Sequence, residues 1–317
     1  MPHRNLAALM AQGPFGRGIP PTGAPATQPI NAQGTQPTDT PATKPGAPSG
    51  HPPMAMGPFS GVQGPEIVAF EQELEQLCNR YGIAPIRPQD MWMHNETLNI
   101  SFIPRTFQPG GDTFDERFMF VGPSIFARQD APAFEIENSE EKPVLYISLG
   151  TVMNNRPDFF KLCFEAFGDG PWHVVMAHGQ RIDMQQLGPI PANFQVAPYL
   201  PQLEVLAKTR VFITHGGMNS TMEALYYGVP LIVVPQQPEQ GMTAQRVSDL
   251  GLGVALNPNE LSTEVLRAAV ERVGDDETIR QNVEAMQETV RDSGGAYDAA
   301  DAITTMMETQ ASQAETV

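Results

Sequence analysis

His215, Gly216, Gly217, Asn219 and Ser220 crowd into one turn, between a β-rich run that stops at Thr214 and a helical pattern that starts near Thr221. A strand, a tight turn and a helix start, in that order, gather unpaired backbone N–H groups and the positive end of a helix dipole at one point, which suits a phosphate oxygen. The glycines let the backbone approach such a ligand closely. His215 has three readings here: a structural histidine, a general base, or a hydrogen-bond donor to phosphate. Its place at a strand end just before two glycines favours the donor. Ser220 close to a histidine is not a hydrolase signature, because a G-x-S-x-G elbow is absent and no acid partner is placed.

Other stretches carry matching chemistry. ISLGT at Ile147–Thr151 ends a strand in a glycine turn with hydroxyls at Ser148 and Thr151. Taken alone it reads as an ordinary strand-to-helix turn; paired with the His215 turn in one sheet, it would hold a diphosphate from a second side. PYLPQLEVL at Pro198–Leu206 supplies an aromatic, prolines and Gln202 at a further turn, a set that could line a planar base. Glu223 follows on the helix after the His215 turn, and VPLIVVP at Val229–Pro235 runs into a polar loop, Gln236–Gln240, that ends on Glu239 and Gln240. A carboxylate accepting neighbouring hydroxyls through charge-assisted hydrogen bonds is a common way to hold a ribose or a hexose. The G-x-G-x-x-G dinucleotide fingerprint and the Walker loop with its lysine are both missing.

A regular scaffold to position these residues begins at Pro143. Strand candidates at Val144–Leu149, His173–Ala177, Phe194–Val196, Val211–Ile213, Leu231–Val234 and Gly253–Ala255 alternate with helical stretches near Pro157–Phe167, Pro201–Ala207, Ser220–Tyr227 and Thr243–Leu250. Alternation with near-continuous apolar strands argues an α/β fold with a parallel sheet covered on both faces, and ligands bind such sheets at the carboxyl ends of the strands. Phe159, Phe160, Phe164 and Phe167 read as helix core rather than as an aromatic box. Helices at Ser262–Val273, Asp276–Asp292 and Ala296 to about Glu308 close the chain, with a frayed tail expected after Met307.

Upstream, Ile67, Phe70, Leu74, Leu77, Cys78 and Tyr81 recur at helical spacing, and Leu98–Pro104 and Arg117–Ile125 read as short strands. A block of roughly 60 residues is too small to be comfortable on its own core and must pack on something else. The Pro/Gly-rich start cannot bury enough apolar surface to offset chain entropy and is expected to be disordered. The resulting division is 1–62 disordered, 63–128 an incomplete N-terminal domain, 129–142 a polar linker, 143–292 a ligand-binding Rossmann-like domain and 293–317 a C-terminal helix and tail.

A formal net charge of −17 argues against nucleic acid or an anionic membrane as partner, since a phosphate backbone requires a basic footprint. Cys78 and Cys163 lie among apolar residues, outside any metal-ligand spacing, and read as buried thiols of a reducing compartment. With no apolar run near the roughly 20 residues of a membrane span and no secretory leader at the start of the sequence, a cytoplasmic location is expected.

Together, YISLGT, YLPQLEVL, THGGMNSTMEALYYGVPLIVVP and the Glu239-Gln240 pair resemble the family 1 UDP-glycosyltransferases, and among them the bacterial macrolide glycosyltransferases. The resemblance runs from about Pro65 to Ala302 and is strongest over Val144–Leu256. It implies a GT-B fold, two Rossmann-like domains facing a cleft, of which this chain carries the C-terminal donor domain. It implies that Ser148 and Thr151 lie by the diphosphate and Leu200 and Gln202 by the base and ribose. His215, Gly217, Asn219 and Ser220 would hold the phosphates, Glu223 the ribose hydroxyls, and Glu239 with Gln240 the sugar. No cofactor and no metal is expected; the donor substrate is a nucleotide sugar such as a UDP-hexose, and the acceptor a small hydrophobic molecule. The acid at Glu239 is commonly Asp in such enzymes. Only the last helix and strands of the N-terminal domain can be matched, so no residue of this chain is assigned as the catalytic base.

The reaction implied is inverting transfer, with an acceptor hydroxyl attacking the anomeric carbon as the nucleoside diphosphate leaves. The alternative is a non-catalytic donor-binding subunit or regulatory partner of a split transferase, for which exposed apolar surface on Ile67–Ile125 predicts association with another chain. A sugar-nucleotide epimerase is a third reading that the Glu239-Gln240 pair does not support.

Overall fold

The computed structural model describes residues 65–87, 96–126, 134–137 and 141–314. The segment expected to be disordered, 1–62, lies outside these residues, as does part of the linker. The chain divides into two compact units, Met1–His94 and Asn95–Val317. In the first, helix α1 (Pro65–Tyr81) realises the predicted amphipathic pattern.

The second unit opens with two short strands, β1 (Asn99–Ser101) and β2 (Phe118–Phe120), paired in parallel with Ile100 opposite Met119. Both are shorter than their apolar runs. Between them Arg105 donates to the carbonyls of Gly111, Phe114 and Phe118 and lies 4.6 Å from the Phe120 ring centroid, so one guanidinium fixes the whole crossover.

The main sheet consists of β3 (Val144–Ser148), β4 (His173–Ala177), β5 (Phe194–Ala197), β6 (Val211–Thr214), β7 (Leu231–Val233) and β8 (Gly253–Ala255), in the order β5-β4-β3-β6-β7-β8 with every pair parallel. The chain starts at the middle with β3, builds outward to β5, then returns to lay β6 on the other side of β3. This reversal puts a topological switch point between β3 and β6, where the connections depart in opposite directions and leave a crevice at the carboxyl ends. All five residues of β3 and of β4 are buried, as strands covered on both faces must be. Tyr146 and Phe212, opposite each other in the β3–β6 register, stack with centroids 4.6 Å apart.

Helices α2 (Pro157–Phe167), α3 (Met184–Leu187), α4 (Gln202–Leu206), α5 (Met218–Tyr226), α6 (Pro238–Asp249), α7 (Thr263–Asp275), α8 (Glu277–Arg291) and α9 (Gly295–Ala314) complete the unit. α2 packs on α7 and α5 on α8. Phe159, Phe160, Phe164 and Phe167 are buried in α2, as expected. Cys78 and Cys163 are buried too, and desolvation pushes the Cys163 thiol far above its ordinary pKa. Ser262 and Asp276 cap α7 and α8 with side-chain oxygens.

Several boundaries differ from the sequence reading for identifiable reasons. α5 begins at Met218 with Gly217 as N-cap, so Asn219 and Ser220 lie in its first turn instead of before it. α6 begins at Pro238, not near Thr243, because Pro at N1 and Glu239 in the first turn both favour a helix start. Glu239 and Gln240 are therefore helical residues, not loop. α9 continues to Ala314 where fraying was expected. Among the described residues no helix is long and apolar enough to cross a membrane.

Candidate functional site

The ends of β3 and β6 are built to one plan. Ser148 and Thr214 are partners in register, and each hydroxyl accepts a hydrogen bond from the backbone N–H two residues on, Gly150 at 3.2 Å and Gly216 at 3.3 Å. Both glycines take left-handed conformations, φ 77° and 83°, that a residue with a Cβ adopts at a cost. The result is two sharp turns side by side at the switch point. Asn154 holds the exit of the first by donating to the Gly150 carbonyl at 2.6 Å.

His215 stands between these turns. A Cβ placed on Gly150 would lie 2.6 Å from its Cε1, and one on Gly217 would lie 2.4 Å from its Nε2. The imidazole thus occupies a slot that only glycine on either side leaves open. Its Nδ1 is 3.5 Å from the Thr214 hydroxyl, and burial holds its pKa below the ordinary histidine value. A neutral ring with one N–H can donate to an anion beside the α5 N-terminus without proton transfer.

A cleft of about 710 Å³ opens above these turns. It is lined by Ser148 and Thr151 from the β3 turn, Leu200 and Gln202 from the start of α4, and His215, Gly217, Asn219, Ser220 and Glu223 from the β6 turn and α5. This volume falls within the range of about 300–1,000 Å³ usual for small-molecule sites. Gln202 joins two walls: its Nε2 donates to Glu223 Oε2 at 2.6 Å and to Ser220 Oγ at 3.2 Å, and its Oε1 is 3.4 Å from the Tyr146 hydroxyl. Glu223 is buried, so its carboxylate is oriented rather than freely solvated. Carboxylate, amide and hydroxyl groups so held can bind a hydroxylated ligand whose anionic portion reaches the glycine turns.

Glu239 and Gln240 are not among the residues lining this cleft. They lie in the first turn of α6 at the end of the neighbouring strand, with the Gln240 carbonyl close against Gly216. Glu239 is exposed, Gln240 is buried, and Gln240 Nε2 donates to Glu239 Oε1 at 3.1 Å.

The cleft also includes residues that the spacing did not single out: Tyr146, Asn154, Gly179, Gln180, Arg181 and Met218. Tyr146 lies within β3 and Asn154 in the turn before α2, and their roles depend on contacts with other parts of the chain. Gly179, Gln180 and Arg181 carried one usable signal, a glycine two residues after the end of strand β4 at the same sheet edge. Among the described residues no group of His, Cys, Asp and Glu could hold a metal ion.

The profile of the UDP-glucoronosyl and UDP-glucosyl transferase family matches residues 123–294. The NDP-glycosyltransferase YjiC of Bacillus licheniformis is 48% identical over 240 residues, 74% of this chain and 60% of that protein. The demethyllactenocin mycarosyltransferase of Streptomyces fradiae is 34% identical over 253 residues, 80% of this chain and 54% of its own length. Among solved structures, the calicheamicin glycosyltransferase CalG4 superposes with a TM-score of 0.68 at 39% identity, over 80% of this chain and 64% of that one. The chain therefore spans less than two thirds of each of these relatives.

Proposed function

The chain belongs to the UDP-glucoronosyl and UDP-glucosyl transferase family, and from that premise we propose that its cleft is the donor site of a glycosyltransferase, taking a nucleotide-activated sugar, a UDP-hexose. The observation that carries the proposal is the convergence of the paired glycine turns with the Gln202–Glu223 pair in one cleft at the switch point. In this reading the diphosphate lies at the turns, where backbone N–H groups, the α5 N-terminus and the His215 N–H face the charge that grows on the leaving group. Glu223 accepts the ribose hydroxyls, and Leu200 with Gln202 borders the base. Glu239 and Gln240 hold the sugar from the adjoining strand end.

Transfer then proceeds with inversion. The acceptor oxygen of a small hydrophobic alcohol or phenol attacks the anomeric carbon, the bond from that carbon to the diphosphate breaks, and the acceptor proton passes to a base. His215 is tied to the phosphate side and is not that base. The reading assigns the base and the acceptor pocket to the part of the family's length that the matched residues leave uncovered.

Calorimetric titration tests the donor assignment. The chain is expected to bind UDP, and a Glu223→Ala variant to lose about tenfold or more in affinity, the equivalent of a charge-assisted hydrogen bond. Absence of heat or thermal shift with UDP would contradict it. Incubation with a UDP-hexose and a phenolic acceptor, followed by analysis of the sugar products, separates transfer from binding alone and from epimerisation.

A further inference from the structure

A chain of hydrogen bonds ties the β3 turn to the α6 N-terminus through a residue that plays no part in the cleft. Arg156 precedes α2, and its backbone N–H donates to the Asn154 carbonyl at 2.8 Å, the same Asn154 whose side chain holds the Gly150 carbonyl. Its Nε and Nη2 engage Asp158, which sets the plane of the guanidinium, and Nη1 reaches across to Gln236 Oε1 at 2.8 Å. An arginine can only donate, so the Gln236 amide is fixed with its oxygen toward Arg156. Its Nε2 then donates to the Val234 carbonyl at 2.8 Å. The Gln236 backbone N–H donates to Gln240 Oε1 at 2.8 Å, which turns the Gln240 Nε2 toward Glu239. Arg156 thus sets the Gln236 side-chain amide and so anchors residue 236, whose backbone N–H in turn sets the Gln240 amide.

We propose that Arg156 is a positioning residue for the sugar end of the donor: through Gln236 and Gln240 it holds the Glu239 carboxylate at a set distance from the diphosphate turn. The inference rests on the donor reading given above and deepens it. Glu239 lies outside the cleft lined by the phosphate and ribose residues, on a different strand end, so the two parts of the ligand are met by two separately anchored segments. A sugar nucleotide spans both. Its sugar is gripped only if the segments keep their spacing, and positional errors of a fraction of an ångström weaken such contacts. Arg156 is the bridge between them, and a lysine cannot replace it, because it lacks the planar fork that meets Asp158 and Gln236 together.

The test compares UDP with UDP-glucose on the full chain by calorimetry, for the unsubstituted protein, Arg156→Ala, Arg156→Lys and Gln236→Ala. The ratio of the two dissociation constants reports the sugar contacts alone. Arg156→Ala and Gln236→Ala are expected to lower the preference for UDP-glucose about tenfold, the weight of one hydrogen bond to a charged group, with UDP affinity within roughly twofold of the parent because the arginine is partly exposed. Arg156→Lys is expected to restore little of it. Hydrogen exchange supplies a second reading without ligand: the Gln236 amide should exchange about tenfold faster in Arg156→Ala as its side-chain acceptor loosens. An unchanged sugar preference in a folded Arg156→Ala protein overturns the proposal. Failure of the unsubstituted chain to bind UDP overturns the donor reading itself, and unchanged exchange at Gln236 then overturns the brace as well.

Discussion

The carboxyl ends of β3 and β6 and the carboxyl end of β7 solve the same problem by different means. At β3 and β6 the backbone sets the geometry: a hydroxyl at the strand end, a left-handed glycine two residues on, and a histidine wedged where no Cβ fits. At β7 side chains take a larger part: Arg156 holds the Gln236 side chain, the Gln236 backbone N–H holds Gln240 Oε1, and Gln240 Nε2 holds Glu239. Backbone N–H groups suit a ligand part that is always charged and always the same, the phosphate. Side-chain amides suit a part that differs between ligands, because single substitutions can re-aim them. In the proposed donor site, the common part of the ligand meets the rigid half and the variable part the adjustable half.

The largest expected effect lies in the backbone-built half. Gly150→Ala places a methyl 2.6 Å from His215 Cε1 at a position where φ is 77°. It should lower stability by about 1–3 kcal/mol and UDP affinity on the order of a hundredfold, as expected if the displaced His215 and its turn lose hydrogen bonds to a charged group; denaturant unfolding and calorimetry check the two. Next comes Gln202→Leu, which strips Glu223 and Ser220 of a shared donor. A loss of about 1.5–3 kcal/mol in UDP binding follows from removing a hydrogen bond to a charged group, and UMP should suffer equally, since Glu223 is proposed to meet the ribose. At β7 the contrast sharpens with Gly241→Ala, where a Cβ meets nothing within 4 Å in the interior of α6. Here the same glycine-to-alanine change should raise stability by about 0.5–1 kcal/mol and leave UDP binding intact.

The smallest effect concerns pH. Burial depresses the His215 pKa, so between its folded value and the unfolded value of about 6.5 the unfolded chain binds more protons. Stability is therefore full above that window and falls as the pH drops through it. His173 and His178 shift in the same direction, and each keeps a buried ring nitrogen without a partner. The unsubstituted chain should show their combined slope, and His215→Gln should make it shallower without abolishing it. An unchanged slope in His215→Gln would mean that the imidazole is not desolvated in its slot.

The difference between the two halves also explains what was legible beforehand. THGGMNS announces itself, because turns that need left-handed backbone need glycine; ISLGT, an ordinary turn on its own, gains meaning beside it, and the alternation of buried strands and helices around them is visible as composition. The parallel sheet and the grouping of Ser148, Thr151, Gln202, His215, Gly217, Asn219, Ser220 and Glu223 around one cleft follow that expectation. The α6 start was misplaced because Gln236, Gln237 and Gln240 read as polar loop, while Pro238 marked a helix N-terminus. Arg156 was invisible for another reason. A lone arginine between Asn155 and Pro157 has no periodic signature, and its partner Gln236 stands on a different strand end. Tyr146 was hidden in the same way, as an apolar strand position whose hydroxyl reaches Gln202 across the fold.

The most direct test of the central claim is the crystal structure of the chain soaked with UDP-glucose. The account predicts diphosphate density between the Gly150 and Gly217 turns within reach of His215, ribose hydroxyls on Glu223, and the hexose extending toward Glu239. Nucleotide bound away from this cleft, or an empty cleft at saturating ligand, would contradict it.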